Sequence, residues 1–258
     1  TFIQQPPRPT NRKPYEGIYP DLPLDDARAK VARQLKQLVV GITDPTLQDI
    51  DRQVDDTLRV LLVKPDRPSD RDPYSGLFPA AKIPELTAAQ LLEIAPHADP
   101  SQVEALYPHL IVTLLEYNIS TKLRQAHFLA QLAHESGSFN YLEELASGED
   151  YEYRDDLGNL YPGDGVRFKG RGLIQITGRT NYQDCGEDLG VDLIEEPTRL
   201  ADNDLACLSA GWFWDTRNLN PIADQDDVDT ITYRINGGYN GYEERVEFLA
   251  QAKEVLGI

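Results

Sequence analysis

The stretch "AHESGSFNYLEE", residues 133–144, sets His134, Glu135, Glu143 and Glu144 around a break made of Ser136, Gly137 and Ser138. Two carboxylates in unlike surroundings are what glycoside hydrolysis requires. One keeps a proton for the leaving oxygen, and the other stays ionised to activate water or to attack. Spacing decides whether Glu135 and Glu144 can share one bond. On a continuous helix, nine residues apart, they would lie on opposite faces and about 13 Å apart along the axis. The break changes this, because Gly137 lets the chain turn back and bring Glu144 to face Glu135 across a cleft. A solvated helix end with surface glutamates fits the same residues, and spacing alone favours that plainer reading. Glu152, in "YEYR", competes for the second role, since Arg154 and two flanking tyrosines would hold it ionised.

Other chemistries fit less well. "HESGS" lacks the second histidine of a zinc-protease helix, and four histidines in the whole chain do not cluster as ligands. "DDLGNLYPGDG" is acidic and turn-rich but does not follow the EF-hand ligand order. "GVRFKGRG" is a glycine-rich turn without the lysine-serine pair of a phosphate loop. "AGWFW" reads as core before it reads as a stacking platform. Two cysteines, Cys185 and Cys207, make no disulfide framework, and Cys207 falls in an apolar helical stretch. The expectation is a site with no metal and no organic cofactor.

Charge narrows the partners. The formal net charge is −18, unevenly spread: residues 1–83 hold 13 Lys+Arg against 12 Asp+Glu, and residues 84–258 hold 12 against 31. The acidic part repels phosphate backbones, so nucleic acid is not expected as a partner. It gains nothing from an anionic membrane or wall polymer, so a polysaccharide must be held by hydrogen bonds and stacking. No apolar run approaches the length of a membrane span. The first seventeen residues lack an apolar h-region, so no signal peptide is expected within this chain.

The elements that must position these groups are mostly helical. Residues 1–23 carry six prolines and predict an extended or disordered arm. Asp25 or Asp26 starts a helix along Ala27, Val31, Leu35 and Leu38, and a second follows through Leu47, Ile50, Val54, Leu58 and Leu61. "KPDRPSDRDPYSGLFPAAKIP" is a linker. "TAAQLLEI" opens with a capping box, Thr87 with Gln90. "DPSQVEALY" has Asp99 as cap and Pro100 at the first helical position. "STKLRQAHFLAQLAHES" is a strong amphipathic helix ending at Ser136-Gly137. Residues 145–172 read as loops with a short hairpin at most. Helix returns in "RTNYQDCGEDLG", "NDLACLSAGWFWDT", "DVDTITYRI" and "GYEERVEFLAQAKEVL".

Four ordered motifs carry a resemblance: "FLAQLAHESGSFNYLEE", "FKGRGLIQITGRTNY", "LSAGWFWDTRNLN" and "RINGGYNGYEERVEFL". Residues 84–258 are similar to the glycoside hydrolase family 19 chitinases and their bacteriophage-type endolysin relatives. Residues 1–83 carry none of these motifs. They are expected to be a separate N-terminal unit, with docking to a protein or wall as one role for it.

The resemblance implies a mainly α, lysozyme-like, two-lobed domain with at most a small β-hairpin, after the helical N-terminal segment. It implies an inverting glycosidase acting on β-1,4 links of an N-acetylhexosamine polymer, outside the cell or after lysis or particle delivery. The family's general acid falls on Glu135 and its general base on Glu144. Residues that hold water and sugar fall on Gln175, Thr177 and Asn181, a further sugar contact on Asn236, and the basic residue shaping the cleft on Arg245. Thr177 stands where plant enzymes carry serine, and the hydroxyl survives. His134 either orients the acid or is a satisfied core histidine. At the end of an apolar helix Glu135 is expected to be desolvated and to keep its proton. Compact loops and the "YLEELASG" to "PGDG" stretch favour peptidoglycan over chitin as substrate, by likeness to the endolysin branch. A non-catalytic lysozyme-like module of a phage tail or injection particle is the rival class. Retention of both glutamates argues against it.

Overall fold

The computed structural model describes residues 86–258. The proline-rich arm, the expected helical hairpin, the linker and the boundary at residue 84 lie outside the described residues. The expected capping signals set the first helices. α1 (Ala88–Ile94) starts at Thr87, whose N–H donates to Gln90 Oε1 at 2.9 Å while the Gln90 N–H donates back to Thr87 Oγ1 at 3.2 Å. Asp99 caps α2 (Pro100–Glu116) by accepting from the Ser101 N–H at 2.8 Å, and Pro100 occupies the first turn, where no N–H is needed.

α2 runs on through Pro108, further than "DPSQVEALY" suggests. A proline inside a helix costs about 3 kcal/mol. The turns beyond it bury Leu110, Ile111 and Leu114, each worth roughly 1.5–3 kcal/mol, so burial outweighs the lost hydrogen bond.

α3 (Lys122–Glu135) is capped by Thr121 and buried at every position from Gln125 to Ala133. A helix covered on all sides belongs at the centre of its domain. α9 (Tyr242–Leu256) packs along it. α6 (Asn203–Thr216) packs on α2 and sends Trp214 against Phe128 of α3, with ring centroids 5.3 Å apart and edge to face. Trp212 and Trp214 are core residues, as expected, with their indole N–H groups donated to Asp188 and Asn220. Cys185 and Cys207 are buried free thiols.

The remaining helices are α4 (Asp164–Arg167), α5 (Arg179–Leu189), α7 (Asn220–Ala223) and α8 (Val228–Asn236), joined by short 3₁₀ turns. The described residues contain no strand. Pairing is limited to two isolated antiparallel bridges, Glu143 with Arg171 and Arg171 with Ile176, within the expected limit of a small hairpin. No described helix is long and apolar enough to cross a membrane, and no described cluster could hold a metal ion.

Candidate active site

Glu135 is the last residue of α3, and the way that helix ends decides where the chain goes next. Ser136 is fully buried, donates its hydroxyl to the Leu132 carbonyl at 2.6 Å and accepts the Phe139 N–H at 2.8 Å. Gly137, Ser138 and Phe139 follow with φ of 57°, 61° and 63°, and the Ser138 N–H reaches back to the Ala133 carbonyl. This is a Schellman-type stop prolonged by two residues. Left-handed backbone at non-glycine residues costs about 1–3 kcal/mol each. Burial of the Phe139 ring, 1% exposed, offsets it. The reversal expected from Ser136-Gly137-Ser138 is therefore present.

Glu135, expected to be desolvated, is partly exposed and paired. Its side chain is 18% exposed and Oε1 lies 2.5 Å from Arg245 Nη2. Arg245 rises from α9 and is wholly buried. It also donates to Gln131 Oε1 at 2.5 Å and to the Asn240 carbonyl at 3.3 Å. Gln131 in turn donates to Thr232 Oγ1 at 3.4 Å. A buried guanidinium is tolerated only when paired and fully hydrogen-bonded, so this network locks Glu135 Oε1 in place. Oε2 has no partner among the described residues. Arg245, expected to shape the cleft, is the buried residue that holds Glu135. His134 matches neither alternative set for it: it is a partly exposed residue whose Nδ1 is 2.6 Å from Glu244 Oε2, tying α3 to the first turn of α9.

Glu144 is seated by different elements. After the reversal, residues 142–144 run beside 170–172, with the Glu144 N–H donated to the Gly170 carbonyl and the Gly172 N–H to the Leu142 carbonyl, both at 2.9 Å. Neighbours on extended backbone point to opposite sides, which separates the two adjacent glutamates. Glu143 pairs with Lys169 at 3.0 Å and Arg171 at 3.2 Å. Burial works against its charge, but the Lys169 hydrogen bond and the Arg171 charge outweigh it and hold the carboxyl below its ordinary range. Glu144 instead accepts the Tyr151 hydroxyl at 2.9 Å on Oε1 and the Gly170 N–H at 3.0 Å on Oε2. Burial, reinforced by Glu144, pushes the Tyr151 phenol up, so it remains a donor. Lys169 Nζ clamps the loop from behind through the carbonyls of Glu144 and Ala146.

The turn "GVRFKGRG" thus supports Glu144. Gln175, itself at φ 55°, is anchored by its amide to the Gly172 carbonyl at 3.0 Å. A Cβ on Gly170 would lie 2.8 Å from Gln175 Oε1 and 3.2 Å from Glu144 Oε2, so both side chains use the space that glycine leaves. Ile174 and Ile176 are buried, and the alternate residues Gln175 and Thr177 are only partly so. Thr177 Oγ1 donates to the Gln175 carbonyl at 3.0 Å, and Asn181, on the first turn of α5, donates to the Thr177 carbonyl at 2.7 Å. Gly170→Ala is expected to displace both side-chain ends and not the backbone. kcat/KM should fall roughly 100-fold, as for a 1 Å misplacement of a working group, with Tm almost unchanged. Full activity in that variant would mean that the seat does not position Glu144.

Glu152 does other work. Its two oxygens accept the N–H groups of Gly163 at 2.5 Å and Gly165 at 2.8 Å, where the chain enters α4. Arg154 does not hold it, pairing instead with Asp156 at 2.6 Å. The expected residues therefore fall into sets: Glu135 with Arg245; Glu144 with Gln175, Thr177 and Asn181; and His134 against α9. Asn236 is exposed at the end of α8. Gln131, Tyr151 and Lys169 are supporting residues that sequence reasoning missed. A glutamine inside an apolar helix, one turn before Glu135, was a readable signal. Tyr151 gave none.

A helical body with two separately seated carboxylates, one ending a central helix and one in the loop region beyond it, fits the lysozyme-like class. Comparison makes this specific. The family model described as Chitinase class I matches residues 119–235. A glycosyl hydrolase family 19 domain-containing protein of Haemophilus influenzae is 34% identical over 185 residues, 59% of this chain and 88% of that protein. An endochitinase of Arabidopsis thaliana is 40% identical over 141 residues, 52% of this chain and 48% of the plant protein, so the chain spans about half of that relative. Chitinase C from Streptomyces griseus shares the fold, with a TM-score of 0.56, 24% identity, and 66% of this chain and 92% of that one covered. The class IV chitinase from Zea mays superposes with a TM-score of 0.56 at 25% identity, covering 67% of this chain and 93% of that one. The chain belongs to glycoside hydrolase family 19 and is a glycosidase.

Proposed function

We propose that this glycosidase cleaves β-1,4 links of chitin with inversion, using Glu135 as general acid and Glu144 as general base. Glu135 gives its proton to the glycosidic oxygen through Oε2, the oxygen that Arg245 leaves open. Glu144 takes a proton from the water that attacks the anomeric carbon on the opposite face. Inversion needs room for that water, with working carboxyls about 6.5–9.5 Å apart. The observation that supports these roles is the separate seating of the two groups: Glu135 by Arg245 of α9, Glu144 by Tyr151 and Gly170 of the loop region. Gln175, which shares the space over Gly170 with Glu144, and Thr177, whose hydroxyl donates to the Gln175 carbonyl, are the side chains proposed to hold the water and the sugar. Asn181 supports Thr177 through its carbonyl, and Asn236 and His134 are proposed contacts on the α8–α9 side.

Chitin is preferred here over the peptidoglycan expected from the loops. The plant relative is an endochitinase and the matching solved structures are chitinases, and chitin is uncharged, whereas an anionic wall is repelled by a chain of net charge −18. Parallel digests of colloidal chitin and purified peptidoglycan test this, with released reducing ends counted and the first anomer read by NMR. The expected result is release from chitin as the α-anomer. Release from peptidoglycan alone would restore wall lysis as the function, and a β-anomer would exclude inversion.

A further inference from the structure

Three tyrosines lie together on the side of the molecule that holds Glu135. Tyr233, on α8, and Tyr239, in the glycine-rich turn after it, are 46% and 58% exposed, with ring centroids 5.9 Å apart. Tyr242, the first residue of α9, meets Tyr239 edge to face at 5.8 Å and donates its hydroxyl to Asp229. Tyr239 is thus braced by two rings and still open to solvent. Neighbouring Ile231 and Thr232 are buried, so α8 already has its core face, and folding does not require the tyrosine side to be aromatic. Adjacent exposed rings that the fold does not need mark a binding surface.

Two ties join this turn to the Glu135 end of α3. The Asn240 carbonyl accepts from Arg245 Nε, and the same guanidinium holds Glu135. Gly241 is pressed against the His134 ring so closely that a Cβ there would lie 2.0 Å from its Cε1. Tyr239 is next to Asn240 in the chain and is therefore carried on the backbone that anchors the candidate acid. Asp229, Glu243 and Glu244 nearby are acidic, Arg234 next to Tyr233 is basic, and Asn236 is neutral and exposed. Acidic side chains outnumber basic ones in this rim, which suits an uncharged ligand with flat C–H faces and hydroxyl or amide edges.

We infer that Tyr239, braced by Tyr233 and Tyr242, is a stacking platform for an acetamido-sugar unit of the substrate chain on the Glu135 side of the cleft. The inference rests on the functional reading above, to which it adds a subsite and a specificity residue. The platform acts on binding: a longer sugar chain reaches it and a short one does not.

The test uses the full chain with chitohexaose as probe and calorimetry as readout. Affinity is measured in the slowed Glu135→Gln background and repeated in Glu144→Gln, each with and without Tyr239→Ala, and with Tyr239→Phe. Tyr239→Ala is expected to weaken hexaose binding roughly tenfold, about 1.4 kcal/mol, with Tm unchanged because the ring is exposed. Tyr239→Phe should restore affinity, and chitobiose binding should not respond to either change. Equal hexaose affinity with and without the Tyr239 ring would overturn the platform, as would no hexaose binding in either background. Chitin hydrolysis by the unaltered chain is scored separately. Hydrolysis with Tyr239-independent binding sinks the platform alone, and Tyr239-dependent binding without hydrolysis sinks the function alone.

Discussion

Glu135→Gln is expected to lower turnover of colloidal chitin by about 10²–10⁴-fold, the contribution of a positioned general acid. The amide keeps an oxygen where Arg245 Nη2 needs an acceptor, but it has no proton to give to a glycosidic oxygen. The guanidinium behind it is wholly buried and would then face only neutral groups: the Gln131 oxygen, the Asn240 carbonyl and the new amide. A hydrogen bond from a charged donor contributes about 1.5–3 kcal/mol, and the amide oxygen keeps part of this one. Glu135 is 18% exposed, so solvent screens part of this, and about 1–2 kcal/mol is expected, a loss of a few degrees in Tm. Chitohexaose affinity should survive, since Oε2 acts in the transition state more than in the ground state. Calorimetric melting, binding and product release on one preparation separate these effects. A Glu135→Gln chain that still hydrolyses chitin at the parent rate would remove Glu135 from the mechanism.

Several elements were legible because their signals are local. Thr87 with Gln90 and Asp99 with Pro100 mark helix starts through bonds spanning two or three residues, and Ser136-Gly137-Ser138 marks a stop through glycine's freedom of φ. The pairing of Arg245 with Glu135 joins residues 110 positions apart. It depends on α9 lying along α3, and periodicity within either helix does not encode that. Pro108 reads as a helix breaker until the apolar turns beyond it are seen to be buried. The expectation of a desolvated Glu135 came from the apolar helix before it, whereas the buried guanidinium that pairs with it comes from another helix. Glu144 and Glu152 are both glutamates within a few residues of a tyrosine and an acidic residue in the sequence. What separates them is the backbone N–H each receives: Gly170 for one, Gly163 and Gly165 for the other.

Glu144→Gln and Glu152→Gln are therefore expected to fail in opposite ways. In Glu144→Gln the amide still has one oxygen for Tyr151 or Gly170, so the loop should keep its place while the acceptor of the water proton is gone. Turnover should fall by about 10²–10⁴-fold, with Tm within a degree or two of the parent. In Glu152→Gln one of two backbone N–H groups at the entry to α4 meets an amide nitrogen instead of a carboxylate oxygen. Hydrogen bonds to charged groups contribute about 1.5–3 kcal/mol. The pair here is partly exposed, so roughly 1–2 kcal/mol of stability should go, while chitin turnover below the transition stays within a few-fold of the parent. Activity and melting measured on the two variants together assign each carboxylate. A Glu152→Gln chain as inactive as Glu135→Gln, beside a working Glu144→Gln, would move the base to Glu152. The two glycine N–H groups it accepts would then have to release one of its oxygens before it could receive a proton from water.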